Sequence, residues 1–229
     1  VLRDVDEQKN QEQQRSEFIS TASHEMRTPV ASIQGFIELA LNNKVSTIDD
    51  KARGYLVKAH EATTHLGRLF QDLLTVSKSE DGRLSNNPKL IEVGELLSEL
   101  VEQDRPAAEK KGLKLVYESG NDSGGKTIIP LLYVNADPER LREVVLNLLD
   151  NALKYTTTGM ITVGTSLKDS SVLIRVSDTG MGIAAEDIPH LFQKFYRTDN
   201  SATREIGGTG LGLYLCKQIV DLMGGKIWT

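Results

Sequence analysis

Apolar residues recur at Ile19, Ala22, Met26, Val30, Ile33, Ile37 and Ala40, always three or four positions apart, which traces one face of an α-helix. The pattern predicts a helix over 7–42, roughly 50 Å long at about 1.5 Å per residue. Its first turns, DEQKNQEQQR over 6–15, are rich in helix formers and offer almost nothing to bury, so they read as an exposed helical connector. Pro29 removes one backbone donor inside this helix and is expected to kink it. After a turn at 43–50, a second series, Ala52, Leu56, Ala59, Thr63, Leu66, Phe70 and Leu73, alternates spacings of four and three, the heptad signature of a bundle. Two long amphipathic helices form a hairpin that cannot bury both seams alone. Pairing with a second copy, a homodimer closing a four-helix bundle, is therefore expected.

Over 77–88 the periodicity breaks at Gly82, Asn86 and Asn87, as in a linker. Beyond it the pattern changes to strands mixed with helices. Strands are predicted at 89–93, 113–118, 131–136, 160–167 and 172–178, the last two forming a hairpin through Asp169 and Ser170. Helices are predicted at 94–111, 138–155 and 209–223. Asp137 as N-cap before Pro138 marks one start. The chain reads as a multidomain α+β protein, with the long helical hairpin followed by an α/β sandwich on a mixed sheet. Its expected parts are a connector at 1–15, a helical domain at 16–80, a linker at 81–88 and the sandwich at 89–229.

Charge and cysteine content narrow the partners. In 229 residues, 27 Lys and Arg against 32 Asp and Glu give a net charge of -5. That argues against nucleic acid as a partner and against contact with an anionic membrane by this stretch. Cys216 is the only cysteine, so neither an intrachain disulfide nor a cysteine zinc site can form, and a reducing, cytoplasmic compartment is expected. No apolar run approaches the ~18 residues of a membrane span, and no signal-peptide pattern is present.

Three stretches carry candidate chemistry. In Ser23-His24-Glu25-Met26-Arg27-Thr28-Pro29, His24 lies about 200° round the helix from Ala22 and Met26 and so faces away from the apolar seam. Thr28 shares its face and Glu25 adjoins it. An imidazole near its pKa is a good nucleophile, and a neighbouring carboxylate can fix its tautomer and take its proton. On the helix at 138–155, Leu141, Val145, Leu148, Ala152 and Tyr155 form the expected buried stripe, with Glu143, Asn147, Asn151 and Lys154 opposite. Two mid-helix asparagines cost helix propensity. Amide oxygens can ligate Mg²⁺, and a lysine one turn away can hold a phosphate charge.

The third stretch comprises two glycine-rich runs, Asp178-Thr179-Gly180-Met181-Gly182-Ile183 after a strand and Gly207-Gly208-Thr209-Gly210-Leu211-Gly212 opening a helix. Such glycines let backbone N–H groups approach phosphates, and a carboxylate at a strand end can accept from the amine of adenine. Between the runs, Leu191–Arg197 holds three of the twelve aromatics and reads as a loop anchored by Phe192 and Phe195, beside a polar stretch at 198–205 that could act as a lid. Gly120–Thr127 matches the P-loop pattern, but the β-rich Ile128-Ile129-Pro130 follows where a P-loop needs a helix, so the stretch reads as a flexible hairpin loop.

In this order the stretches resemble the sensor histidine kinases of two-component signalling, from Ser16 to the end of the chain. Ser23–Pro29 resembles the family's H box, Asn147–Tyr155 its N box, Asp178–Ile183 its first glycine box, Leu191–Arg197 its F box and Gly208–Leu213 its second glycine box. The resemblance implies a dimerization and histidine-phosphotransfer hairpin followed by a Bergerat-type ATP-binding domain. It implies His24 as phosphoacceptor, Glu25 as its proton acceptor and Thr28 as the threonine of an E-x-x-T pattern linked to dephosphorylation. It places Asn151 on Mg²⁺, and Asn147, Lys154 and Tyr155 around the phosphates and ribose of ATP.

Asp178 would read the adenine amine, and Gly180, Gly182 and Ile183 would line the base pocket. Phe195 and Arg197 would border the lid, hinged by Gly208, Thr209, Gly210, Leu211 and Gly212. The implied partner is the receiver domain of a response regulator. A serine/threonine kinase of the same ATPase fold would not need His24 on a paired bundle, and intact nucleotide motifs argue against a catalytically silent scaffold. Val1–Asp6 resembles the last strand of a PAS sensor domain. The family usually continues past Thr229 through a closing strand pair, so the ATP-binding domain is expected to be C-terminally incomplete.

Overall fold

The computed structural model describes residue 22 and residues 26–44, 46–119, 131–198 and 208–229. The chain divides into two compact units between Ser85 and Asn86. The expectations for the connector at 1–15 and for the first turns of the long helix lie outside the described residues.

The first unit is an antiparallel pair of helices, α1 over 26–41 and α2, Asp50–Glu80. Arg27 meets Gln71, Gln34 meets Thr64 at 3.1 Å and Glu38 meets His60 at 3.1 Å, a series that converges toward the turn. At the turn, Arg53 donates to Leu41 O at 3.1 Å and so satisfies a carbonyl at the end of α1. Asp49 caps α2 by accepting from Ala52 N–H at 2.8 Å. The α1 helix runs unbroken through Pro29.

The predicted seam of α1 is only partly covered. Val30 packs on Gly67, where an added Cβ would lie 3.6 Å from Val30 Cγ1, and Ile37 is buried too. Met26 and Ile33 stay half exposed, and Phe36 is 72% exposed. One partner helix covers only one arc of a stripe this wide, so the remainder faces outward.

The second unit holds β1 (Lys89–Glu92), α3 (Val93–Lys110), β2 (Lys114–Ser119), β3 (Tyr133–Ala136), α4 (Pro138–Tyr155), β4 (Met160–Lys168), β5 (Ser171–Asp178) and α5 (Gly212–Leu222). Its strands form two sheets: an antiparallel pair β1–β3, and a mixed sheet β2–β4–β5. In the mixed sheet β2 runs parallel to β4, while β4 and β5 form the predicted hairpin, with Asp169 in the left-handed region at φ 54° at its turn. The strands flanking 120–130 therefore pair in different sheets. β2 takes β4 as its neighbour and β3 takes β1, and the stretch expected as a hairpin loop itself lies outside the described residues.

A core of Leu97, Leu100, Val101, Val145, Leu149, Ile161 and Val163, all at or below 1% exposure, lies between α3, α4 and the mixed sheet. On another side of α4, Leu215, Cys216 and Ile219 of α5 are fully buried, and the Cys216 thiol lies 3.7 Å from Val144 O. Because α4 is covered from two directions, its buried arc is wider than the predicted stripe. Val144, Leu149 and Leu153 join it, while Leu148 and Tyr155 are only half buried. The last helix begins three residues later than predicted because Gly210 has φ +70°, which α-helix does not admit.

Candidate functional site

Asn147, Asn151 and Tyr155 follow one another at intervals of four along α4, so they share a face of it, and all three are half-buried. Asp137 starts the helix firmly, its Oδ1 accepting from Glu139 N–H at 3.0 Å and its Oδ2 from Asn87 N–H at 2.8 Å. Burial pushes this carboxyl's pKa up. The N–H bonds of Asn87, Arg140 and Glu139 and the charge of Arg140 outweigh burial, and the pKa falls below its ordinary value.

The Asn147 amide donates back to Glu143 O at 3.1 Å, which turns its Oδ1 toward the start of α5. There a Cβ on Gly212 would lie 3.3 Å from that oxygen. The second glycine run thus abuts the asparagine face through a residue without a side chain. Lys154 is held by Asp150 at 2.6 Å, both partly exposed. Such a pair contributes little stability, so an incoming phosphate can draw the ammonium away at small cost.

The far end of the α4 face meets the first glycine run. Asp178 ends β5 opposite Ile161 and accepts from Gly180 N–H at 2.8 Å. Met181 N–H donates to Tyr155 O at 3.4 Å. Gly180 is required here, because a Cβ would lie 2.5 Å from Tyr155 O and 2.7 Å from Asp178 Oδ1. Gly182 has φ +71°, and Met181 and Ile183 are about half exposed beside it. Thr179, which sequence reasoning passed over, ties this loop down. Its hydroxyl accepts from Met160 N–H at 3.0 Å and lies 3.3 Å from Thr158 O. A lone threonine between Asp and Gly carries no pattern that would have marked it.

The aromatic segment is joined to the second glycine run. Gly210 passes so close to it that a Cβ would lie 2.7 Å from the Phe195 carbonyl carbon and 2.9 Å from Tyr196 O. Tyr196 donates to Asp187 Oδ1 at 2.5 Å, a bond that holds the phenol's pKa above its ordinary value. Lys194 Nζ sits 5.3 Å from the centre of the Tyr214 ring on α5. Phe195 does not anchor the loop as expected. It is 60% exposed and held at φ 60°, because the backbone turns there to pass Gly210. Arg197 is exposed, Thr209 Oγ1 accepts from Leu211 N–H at 3.2 Å, Leu211 is fully buried and Gly208 has open space around it. The lid expected at 198–205 lies, beyond Thr198, outside the described residues.

On the helical hairpin, Thr28 is exposed and its carbonyl accepts from Ser32 Oγ at 3.0 Å. His24 and Glu25 lie outside the described residues. Arg27 reaches across to Gln71 of α2, a contact the sequence did not mark. Among the described residues no group of three or more His, Cys, Asp or Glu side chains could hold a metal ion, and no helix is long and apolar enough to cross a membrane. The α4 face offers the amide side chains of Asn147 and Asn151. That suits Mg²⁺, which keeps much of its shell for water and phosphate.

Two family models match the chain. Residues 14–82 match the His Kinase A (phospho-acceptor) domain, and residues 136–229 match the histidine kinase-, DNA gyrase B- and HSP90-like ATPase. The sensor protein kinase WalK of Staphylococcus haemolyticus is 33% identical over 232 residues, covering 100% of this chain and 36% of that protein. The sensor protein GacS of Pseudomonas syringae pv. syringae is 35% identical over 218 residues, covering 93% of this chain and 23% of that protein. The chain thus spans about a third or less of the length of these curated relatives.

Full-length ShkA, solved in complex with AMPPNP, superposes with a TM-score of 0.72 at 28% identity, covering 93% of this chain and 42% of that one. The histidine kinase ThkA, solved with the response regulator protein TrrA, shares the fold with a TM-score of 0.60 at 24% identity, covering 93% of this chain and 56% of that one. With both domain matches falling in family order on a hairpin and a mixed-sheet unit whose two glycine runs abut one helix face, the chain belongs to the sensor histidine kinases of two-component signalling.

Proposed function

We propose that this chain binds Mg-ATP on the α4 face, transfers the γ-phosphoryl group to His24, and passes it on to an aspartate of a response-regulator receiver domain. The observation that carries the reading is the convergence on α4. Asn147 Oδ1 abuts Gly212 at one point along the helix, and Tyr155 O abuts Gly180 and the Asp178 loop at another. A nucleotide laid along this face would meet a carboxylate for its base at one end and glycine N–H groups for its phosphates at the other. Asn151, between them, would ligate Mg²⁺, which when bound neutralises phosphate charge. Asn147, Lys154 and Tyr155 would orient the phosphates and ribose, with Gly182 and Ile183 beside the base, and Phe195, Arg197 and Gly208–Gly212 bordering the lid.

Phosphoryl transfer asks mainly for positioning and charge neutralisation, and His24 needs only a neutral ring nitrogen aimed in line. Glu25 would take the proton released. Thr28, on the same helix face, would hold the water that attacks a regulator's acyl phosphate. The exposed apolar residues Met26, Ile33, Phe36 and Leu39 support burial against a second copy as a four-helix bundle.

Incubation with γ-labelled ATP should label the parent and leave His24→Gln unlabelled at unchanged ATP affinity. The label should be lost in acid and survive base, as a phosphoramidate does. Thr28→Ala should take up label at the parent rate but dephosphorylate its regulator far more slowly. Persistent label in His24→Gln defeats the phosphoacceptor assignment, and parent-rate dephosphorylation by Thr28→Ala defeats the phosphatase role.

A further inference from the structure

Gly210 crosses the aromatic segment at contact distance. An added Cβ there would lie 2.7 Å from the Phe195 carbonyl carbon, 2.9 Å from Phe195 Cα and 2.9 Å from Tyr196 O, so the place of one backbone sets the place of the other. Two residues on, Gly212 abuts Asn147 Oδ1 of α4. Phe195 itself is held in the left-handed region at φ 60°, a conformation that a bulky residue keeps only where its surroundings impose it. Among the described residues, the one other non-glycine residue there is Asp169, in a hairpin turn. The Phe195 side chain is 60% exposed, so its own packing does not impose the strain.

The restraint comes from residues three apart on either side of it. His190 N–H donates to Asp187 O at 2.9 Å, Gln193 N–H to His190 O at 2.9 Å and Tyr196 N–H to Gln193 O at 3.3 Å. Turns of this kind set residues at intervals of three over one another. Their side chains meet accordingly: Gln193 Nε2 lies 2.9 Å from His190 Nδ1, the His190 and Tyr196 ring centres are 5.4 Å apart, and the Tyr196 phenol donates to Asp187 Oδ1 at 2.5 Å. That last bond joins the two ends of the ladder, and both of its residues are half-buried while His190 and Gln193 are exposed. We propose that Asp187 and Tyr196 are positioning residues for the phosphates of ATP: their bond ties 187–196 into a strap that keeps Phe195 in its left-handed conformation and thereby sets Gly210 and Gly212 against the α4 face. This rests on the reading that the second glycine run meets the phosphates. Neither side chain touches the nucleotide in this arrangement, and the base is placed by other residues, so losing the strap weakens the grip on phosphate alone.

Nuclear magnetic resonance titration of the full chain with Mg-ATP and with adenosine, which has no phosphate, tests this. Tyr196→Phe, which keeps the ring beside His190 and removes only the hydroxyl, should bind Mg-ATP about fivefold or more weakly and bind adenosine as the parent does. Asp187→Ala should show the same split, and the double variant should lose no more than either alone, because both changes remove one bond. Parent-like Mg-ATP binding by Tyr196→Phe overturns the proposal. So do additive losses in the double variant, which mark independent roles, and an equal loss for both ligands, which marks general damage to the fold. Asn151→Ala provides the separate control: unchanged Mg-ATP affinity in that variant refutes the underlying reading of the phosphate site, whatever the strap variants do.

Discussion

Asp178 accepts from Gly180 N–H at one carboxylate oxygen, which fixes the carboxylate at the strand end, and in the proposed function the carboxylate meets the adenine amine. A charge-assisted bond from an adenine amine to such a group contributes roughly 1.5–3 kcal/mol. Asp178→Asn presents an amide donor to that amine in one rotamer and a weaker acceptor in the other, so Mg-ATP affinity should fall about tenfold or more. Asn151→Ala, which removes an amide oxygen from the middle of the face, should do the same. Lys126→Ala should bind as the parent does, because the sequence after the P-loop look-alike, Ile128-Ile129-Pro130, is β-rich where a P-loop needs a helix. The next described element is β3. Loss of binding in the Lys126 variant, with Asp178→Asn unaffected, would reverse the assignment.

At the scale of elements, α4 is the part on which everything else is aligned, and Asp137 sets its start. This carboxylate caps the helix and also holds Asn87, so Asp137→Ala should cost about 1–2 kcal/mol near neutrality. Its pKa is lower folded than unfolded, since its three N–H bonds and Arg140 together outweigh burial. The stability it supplies is therefore full above the unfolded value and is lost as pH falls through the folded one. Urea unfolding of the parent should show this acid-side loss, and Asp137→Ala should show less of it. Identical pH profiles would mean that the carboxylate contributes nothing through its charge.

For the whole molecule the open question is what covers the outer arc of the helical hairpin. Phe36 is 72% exposed, beside Ile33 and Leu39 at about half, which is costly for a chain alone in water. Two-fold pairing would bury this arc twice over, at roughly 1.5–3 kcal/mol for each large side chain removed from water. Phe36→Glu should therefore raise the dimer dissociation constant roughly tenfold or more, as read by sedimentation equilibrium, while ATP affinity on the second unit is unchanged. A parent that sediments as a monomer at every concentration would rule the bundle out.

The sequence by itself determined whatever depends on local grammar. Heptad spacing specified two helices, Asp137-Pro138 specified the start of α4, and period-two runs split by Asp169-Ser170 specified the β4–β5 hairpin. The motif order marked Asn147, Asn151, Asp178 and the glycines as candidates, and the fold sets Asn147 beside Gly212 and Tyr155 beside Gly180. Tertiary structure decided what depends on which surfaces meet. Spacing could not tell that β2 pairs with β4 and β3 with β1, since neither strand carries its neighbour's address. Nor could it tell that α4 is covered from two sides, or that Gly210 must be bare because the Phe195 backbone crosses it. Thr156 is the sharpest case. In sequence it is one more threonine after a helix, and only the fold leaves its hydroxyl buried without a partner, because burial is set by residues distant in the chain.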